Sequence, residues 1–193
     1  MKIINLTEKS KIYTSNVFFV RGDWNTVDDV NTLIDAGSDV SILDELENVH
    51  TGLGQKKIDQ IVLTHSHSDH TAALEALIEM FHPRVYSFNQ HLKGVTHTLS
   101  DGDLLKIGDG YFEVFHITAH SHDSICLLCD NNGVFFTGDT SFPIEFENLK
   151  LSEENANVLE RLSSHIIKSN YPGHGPMRDF TNKQFQFIKD HVL

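Results

Sequence analysis

The chain has 193 residues, 39% of them apolar and 22% charged, with a formal net charge of −12 when its thirteen histidines are counted as neutral. A chain of this length buries roughly 70% of its unfolded surface on folding, no apolar run reaches the about 20 residues of a membrane span, and no cluster of Lys or Arg offers a grip for a polyanion. The expectation is one domain over residues 1–193 with no membrane association, nucleic acid disfavoured as a partner, a small molecule as substrate, and the oligomeric state open.

The first ten residues carry no uninterrupted apolar stretch and no small-residue cleavage site, which predicts a cytoplasmic protein. Strands are predicted over Lys2 to Leu6, Lys11 to Val20, and Val30 to Ile34, the last ending in Asp35-Ala36-Gly37. A helix fits Ser38 to Val49, with Ile42, Leu43, Leu46 and Val49 at helical spacing and Ser38 or Asp39 as its cap. Ile58 to Leu63 is a short apolar strand that delivers Thr64 and then His65-Ser66-His67-Ser68-Asp69-His70. The helix after it, Thr71 to Phe81, carries Leu74, Leu77, Ile78 and Phe81 on one face, so the histidine motif occupies a strand-to-helix loop.

Arg84 to Phe88, Asp103 to Ile107 and Tyr111 to Ile117 follow as strands, and His120 comes just past the third. Ile125 to Cys129 and Val134 to Phe136 form a hairpin around Asp130-Asn131-Asn132-Gly133, with Asp139 directly after it. Ser152 opens a helix with Leu159 and Leu162 inside, His165 to Ser169 is a further strand, and His174 lies in the next loop. Cys126 and Cys129 superficially form a C-x-x-C pair. In a strand, residues three apart point to opposite faces, so both are read as buried free thiols.

Five histidines and two aspartates therefore share one address, just past the carboxyl ends of strands, where distant residues converge on one rim of a layered fold. Imidazole nitrogens and carboxylate oxygens are the usual ligands of zinc and other borderline divalent ions, and a carboxylate can bridge two of them. In a two-metal site the bound water is acidified towards a pKa of about 7 and the developing oxyanion is held by the second ion. Hydrolysis at neutral pH follows from that combination.

These residues resemble the metallo-β-lactamase superfamily, with its H-x-H-x-D-H signature and later His, Asp and His. Asp35-Ala36-Gly37 resembles the early Asp-x-Gly, Thr64 precedes the signature, and Phe136-Thr137-Gly138-Asp139-Thr140 and Tyr171-Pro172-Gly173-His174-Gly175-Pro176 match the late motifs. The resemblance implies an αββα sandwich, two mixed sheets face to face with helices outside. It also implies that His65, His67 and His120 hold one metal, that Asp69, His70 and His174 hold the other, and that Asp139 bridges them. The implied cofactors are two divalent ions, zinc first, with iron or manganese as alternatives. The attacking species would be a metal-bridging hydroxide oriented by Asp69, and Asp35 would support the ligand loops through hydrogen bonds.

One departure is local. Where the family shows Thr-Pro-Gly-His-Thr-x-Gly-Ser, this chain has Ile117-Thr118-Ala119-His120-Ser121-His122-Asp123-Ser124. Ser124 aligns with the final Ser, and His122 and Asp123 are extra. Pocket lining, an alternative ligand and a locally different loop all remain open for them. The other histidines, His50, His82, His91, His97, His116, His165 and His191, are read as surface or internally satisfied groups.

The expected activity is hydrolysis of a thioester, ester or related activated acyl substrate, with metal motifs like those of glyoxalase II. Ser141 to Glu147 replaces the glycine-rich basic segment of that enzyme and the chain stops at Leu193, which argues against glutathione recognition. The runner-up is a persulfide dioxygenase-like oxygenase with one iron held by His65, His120 and Asp139. Behind it stand a ribonuclease Z-like phosphodiesterase and a non-catalytic metal-binding module.

Overall fold

The computed structural model describes residues 1–23, 28–51, 56–141 and 153–180. Its first sheet runs β1 (Lys2–Asn5), β2 (Phe18–Arg21), β3 (Thr32–Ile34), β4 (Gln60–Val62), β5 (Arg84–Ser87) and β6 (His97–Thr98) side by side in chain order. The second is β7 (Leu104–Ile107), β8 (Gly110–His116), β9 (Ile125–Cys129), β10 (Val134–Gly138), β11 (Ser169–Pro172) and β12 (Arg178–Asp179), again with chain neighbours paired. Both sheets are mixed: β3 to β6 are parallel in the first, and β10 and β11 in the second.

Period-two patterning sorts the apolar residues into three layers. In β2, Phe19 packs outward with Leu33, Ile61 and Val85 beneath α1 (Ile42–Glu47) and α3 (Leu74–Phe81), which contribute Ile42, Leu46, Leu74 and Leu77. Its neighbours Phe18 and Val20 point the other way, into a layer shared with Phe112, Val114, Leu127 and Phe136 of the second sheet. On the far side, Phe115, Leu128 and Phe135 meet Val158, Leu159 and Leu162 of α4 (Glu153–Ser163). Helix, sheet, sheet and helix follow in that order, the expected αββα sandwich. Strand β9 lies between β8 and β10 and is buried along its length, hence its unbroken Ile-Cys-Leu-Leu-Cys run. Cys126 joins the layer under α4 and Cys129 the layer between the sheets, both as buried free thiols.

Several boundaries differ from the sequence reading. Residues 11–17 are irregular, because the backbone N–H groups of Ser15 and Asn16 are spent on the carbonyls of Asp69 and Gly173. The helix expected from Thr71 is broken in two, with Ser68–Thr71 (α2) forming its own turn, so Asp69 and His70 sit in a helical turn and not in a loop. Helix α1 starts at Ile42, Asp39 accepting from the Ser41 N–H at 2.7 Å just before it, and ends at Glu47. Residues 165–168 are irregular, and the strand expected there begins at Ser169. Ser152, the expected start of α4, lies outside the described residues. The two-residue strands β6 and β12 were not anticipated; their exposed His97-Thr98 and Arg178-Asp179 leave no apolar pattern to read.

Candidate metal centre

Strands β3 and β4 are parallel, as are β10 and β11, so each pair opens its carboxyl ends together, and contacts of His65 and His70 with Asp139 bring the two pairs onto one rim. Asp35 follows β3, His65 follows β4, Asp139 follows β10 and His174 follows β11. Hydrogen bonds between these loops fix them: Ala36 N–H donates to His70 O at 2.8 Å, Ile125 N–H to Thr64 O at 2.9 Å, and Gly173 N–H to Gly138 O at 2.6 Å.

The seven motif residues converge in two groups. The ligand atoms of His65, His67, His120 and Asp139 lie within 4.8 Å of one another, and so do those of Asp69, His70 and His174. Asp139 stands between the groups: Oδ1 is 3.2 Å from His70 Nε2, and Oδ2 is 3.9, 3.5 and 3.6 Å from the Nε2 atoms of His65, His120 and His174. His174 Nε2 is also 3.0 Å from Asp69 Oδ2.

The direction of these approaches is as informative as their length. His65 Nε2, His70 Nε2, His174 Nε2 and Asp139 Oδ1 are all buried and make no hydrogen bond. Such orphaned polar atoms are costly, by about 1–3 kcal/mol each, unless something else satisfies them. Ligand atoms around a tetrahedral zinc, with bonds of about 2.0–2.1 Å, stand about 3.3 Å apart, and the spacings here straddle that value. The donor set and its orphaned atoms fit divalent ions.

Behind the ligands lies a hydrogen-bonded support centred on Asp35. Its carboxylate accepts from Thr64 N–H at 2.8 Å, from Thr64 Oγ1 at 2.9 Å and from His70 Nδ1 at 2.8 Å. With its proton given to Asp35, Thr64 Oγ1 is left to accept from His65 Nδ1 at 3.2 Å. One buried carboxylate thus sets the ring orientation of two histidines and turns both Nε2 atoms to the centre. Asp35 has a φ of 63°, a left-handed conformation that Asp tolerates at a cost on the order of 1 kcal/mol. This is the supporting role expected for it.

Charge is divided unevenly among these groups. Burial would lower the pKa of His70, but the carboxylates of Asp35 and Asp139 raise it to about 10. His65 is lowered to about 4, by burial first and then by the charge on His70. Burial would raise Asp139, but the close contact and charge of His70, with His174 and His65 behind it, bring it down to about 2. Any cation entering here displaces the His70 proton.

Two glycines are fixed by space. A Cβ on Gly173 would fall 2.2 Å from Asp139 Oδ1 and 2.9 Å from His70 Cε1. One on Gly138, whose φ is +51°, would fall 2.8 Å from Thr64 Cβ and Oγ1.

The sequence reading missed Asn16. Its backbone N–H donates to Gly173 O at 2.7 Å, and its side-chain amide donates to Pro172 O and Gly175 O, both at 2.8 Å. These bonds grip the His174 loop on both sides of the ligand, while Asn5 donates to Asn16 Oδ1 at 2.9 Å. The available signal was Thr14-Ser15-Asn16, a polar triplet interrupting a run read as a strand. Tyr13, missed as well, stacks on His174 with ring centres 5.2 Å apart.

His122 is exposed and lies outside both groups. The Asp123 carboxylate, which burial would raise, is held below its usual range by the hydroxyls of Ser121 and Ser66, the latter in the histidine motif. Ser121 N–H and Oγ meet Ser124 Oγ at 3.0 and 2.7 Å, so Ser124 closes this turn. Of the remaining histidines, His116 stacks on Phe88 and donates to His122 O, and His165 pairs with Asp130. His50, His82, His91 and His97 are exposed, and His191 lies outside the described residues.

A two-sheet αββα sandwich with this His/Asp centre at its strand ends defines a class, and the family comparison gives it a name. The chain belongs to the metallo-beta-lactamase superfamily, whose family model matches residues 12–182. It is 32% identical, over 72% of its length and 56% of the relative's, to a probable hydroxyacylglutathione hydrolase of Schizosaccharomyces pombe. It is 25% identical to the atrochrysone carboxyl ACP thioesterase of Aspergillus fumigatus, over 89% of its own length and 44% of the relative's. The chain thus spans about half the length of these curated relatives. Among solved structures, a metallo-beta-lactamase family protein of Thermus thermophilus superposes with a TM-score of 0.66 at 17% identity, covering 98% of this chain and 78% of that one.

Proposed function

We propose that the chain is a metal-dependent hydrolase of thioesters. The observation that carries this reading is the pair of ligand groups sharing Asp139, with four buried ligand atoms that lack hydrogen bonds. His65, His67, His120 and Asp139 would hold one divalent ion, and Asp69, His70 and His174, with Asp139, a second. Zinc fits the nitrogen-rich donor set best. When bound, such a pair acidifies water and withdraws charge from a carbonyl oxygen.

The chain's own residues do the rest. Asp35 fixes the orientation of His65 and His70, Asn16 fixes the His174 loop, and the Asp69 carboxylate orients the attacking water. No serine or cysteine nucleophile is required, and the two cysteines are buried in the apolar layers. That the two relatives are named for thioester substrates supports a thioester over an ester or phosphodiester. A single-iron oxygenase would use three of the seven side chains. The second group, with its own unbonded Nε2 atoms on His70 and His174, supports two ions instead.

The test is metal analysis of protein purified without chelator, joined to thioester hydrolysis under anaerobic conditions. The expectation is two ions per chain and turnover without oxygen, with His67→Ala and Asp139→Ala folded but depleted in metal and in most turnover. One iron with oxygen consumption, or full activity in either variant, would overturn the reading.

A further inference from the structure

Beside the candidate ligands lies a cleft of about 370 Å3, walled by His120, Asp139 and His174 and, outside the metal motifs, by residues that include Asn170, Arg178 and Asp179. That volume suits a small-molecule portion of a substrate, which pockets of about 300–1,000 Å3 enclose. Arg178 is the one Lys or Arg among the described residues that line it, in a chain with 27 acidic and 15 basic residues.

Strand register places Asn170 and Arg178 together. Asn170 is opposite Arg178 across the β11–β12 pair and opposite Phe135 across the β10–β11 pair. Directly opposed residues share a face of a sheet, with Cβ atoms about 5 Å apart. Since Phe135 packs towards α4, Asn170 and Arg178 lie on that outer face, while Asp179, opposite Ser169, starts from the other face and reaches only the edge of the same cleft. Thr137, also on the outer face, donates through Oγ1 to Asn170 Oδ1 at 3.1 Å. That bond anchors the oxygen side of the buried Asn170 carboxamide and leaves its two N–H donors for a ligand. The wall therefore presents a guanidinium and an amide donor side by side, a pairing that suits a carboxylate or phosphate.

We propose that Asn170 and Arg178 select thioesters bearing an anionic group, a carboxylate or a phosphate, beside the scissile bond. The proposal rests on the thioesterase reading above and names the substrate class for that same centre. Arg178 acts by binding the anion and takes no part in proton transfer.

The test compares matched substrates with the metal-loaded protein. 3-Phosphonopropionyl-N-acetylcysteamine and succinyl-N-acetylcysteamine are each set against butyryl-N-acetylcysteamine, for wild type, Arg178→Lys and Arg178→Gln. The expected result is at least about a tenfold preference in kcat/KM for the anionic member of one pair, which identifies phosphate or carboxylate. The preference should be carried by KM, shrink as salt rises from about 0.05 to 0.3 M, fall in Arg178→Lys and collapse in Arg178→Gln. Calorimetric binding of the corresponding thioethers should show the same ratio without turnover. A fold or metal defect would slow both members of a pair alike and leave the ratio intact. Equal use of both members by wild type, or a preference that survives in Arg178→Gln, overturns the proposal while leaving the thioesterase reading standing. Failure to hydrolyse any of the three substrates overturns both.

Discussion

The two ligand groups sit on the same rim but are built differently. In the first, His65, His67 and His120 brace one another, their rings meeting edge to face with centres 4.6–4.8 Å apart, and only His65 is buried. In the second, the braces come from outside: Asp35 grips His70 at Nδ1, and Asn16 holds the loop of His174 through three hydrogen bonds. A centre held by mutual packing survives loss of a distant support, whereas one held by external hydrogen bonds does not. Variants that separate the two groups therefore test the comparison.

The largest effect is expected where the groups meet. Asp139→Ala removes the carboxylate shared by both and should abolish high-affinity binding of both ions, read as metal content after dialysis. Gly173→Ala comes close to it, because its methyl group would collide with Asp139 and His70. It should lose both ions while circular dichroism stays near wild type.

Asp35→Asn should weaken metal binding by about 10–100-fold, the usual range when the partner of a ligand histidine is lost, with the second group the harder hit. Equal loss at both groups would mean that Thr64 couples them more tightly than the direct Asp35–His70 bond. Asn16→Ala should be milder and more selective, weakening the ion of His174 by about tenfold and leaving the first group's affinity unchanged. Loss from the first group instead would contradict the division drawn here.

How far the centre was legible follows from the kind of signal each part leaves. The candidate ligands could be picked out because imidazoles and carboxylates placed after apolar strands have no packing role to explain them, and β9 could be read from its five consecutive apolar residues. Asp35 was partly legible through its Asp-x-Gly setting. Asn16 was not, since its role consists of donating to the backbone carbonyls of Pro172 and Gly175, more than 150 positions away. Any residue type accepts at its carbonyl, so such a bond leaves no mark on the partner's sequence. Strand β12 was hidden for the same reason: backbone pairing with Ser169 and Asn170 defines it, and exposed Arg178 and Asp179 carry no pattern.

The smallest effect lies far from the metals. Arg161 on α4 makes a two-pronged pair with Asp101 at 2.8 and 2.8 Å, meets Glu113 at 3.1 Å, and covers the Phe115 ring at 4.8 Å. Burial would raise the Asp101 pKa, but Arg161 holds it below the ordinary carboxylate value. A depressed carboxylate pKa contributes stability above its unfolded value and loses it as the pH falls through the folded one. Arg161→Ala should therefore cost about 1 kcal/mol near pH 7, given the solvent exposure of the pair, and the gap to wild type should narrow below a pH of about 4. Metal content should not change.

The central claim is that two ions are held by two separable groups sharing Asp139, and counting zinc by equilibrium dialysis tests it most directly. The account predicts two ions per chain for wild type, one for His174→Ala, retained by the first group, and none for Asp139→Ala. A single ion in wild type, or an unchanged count in His174→Ala, would contradict it.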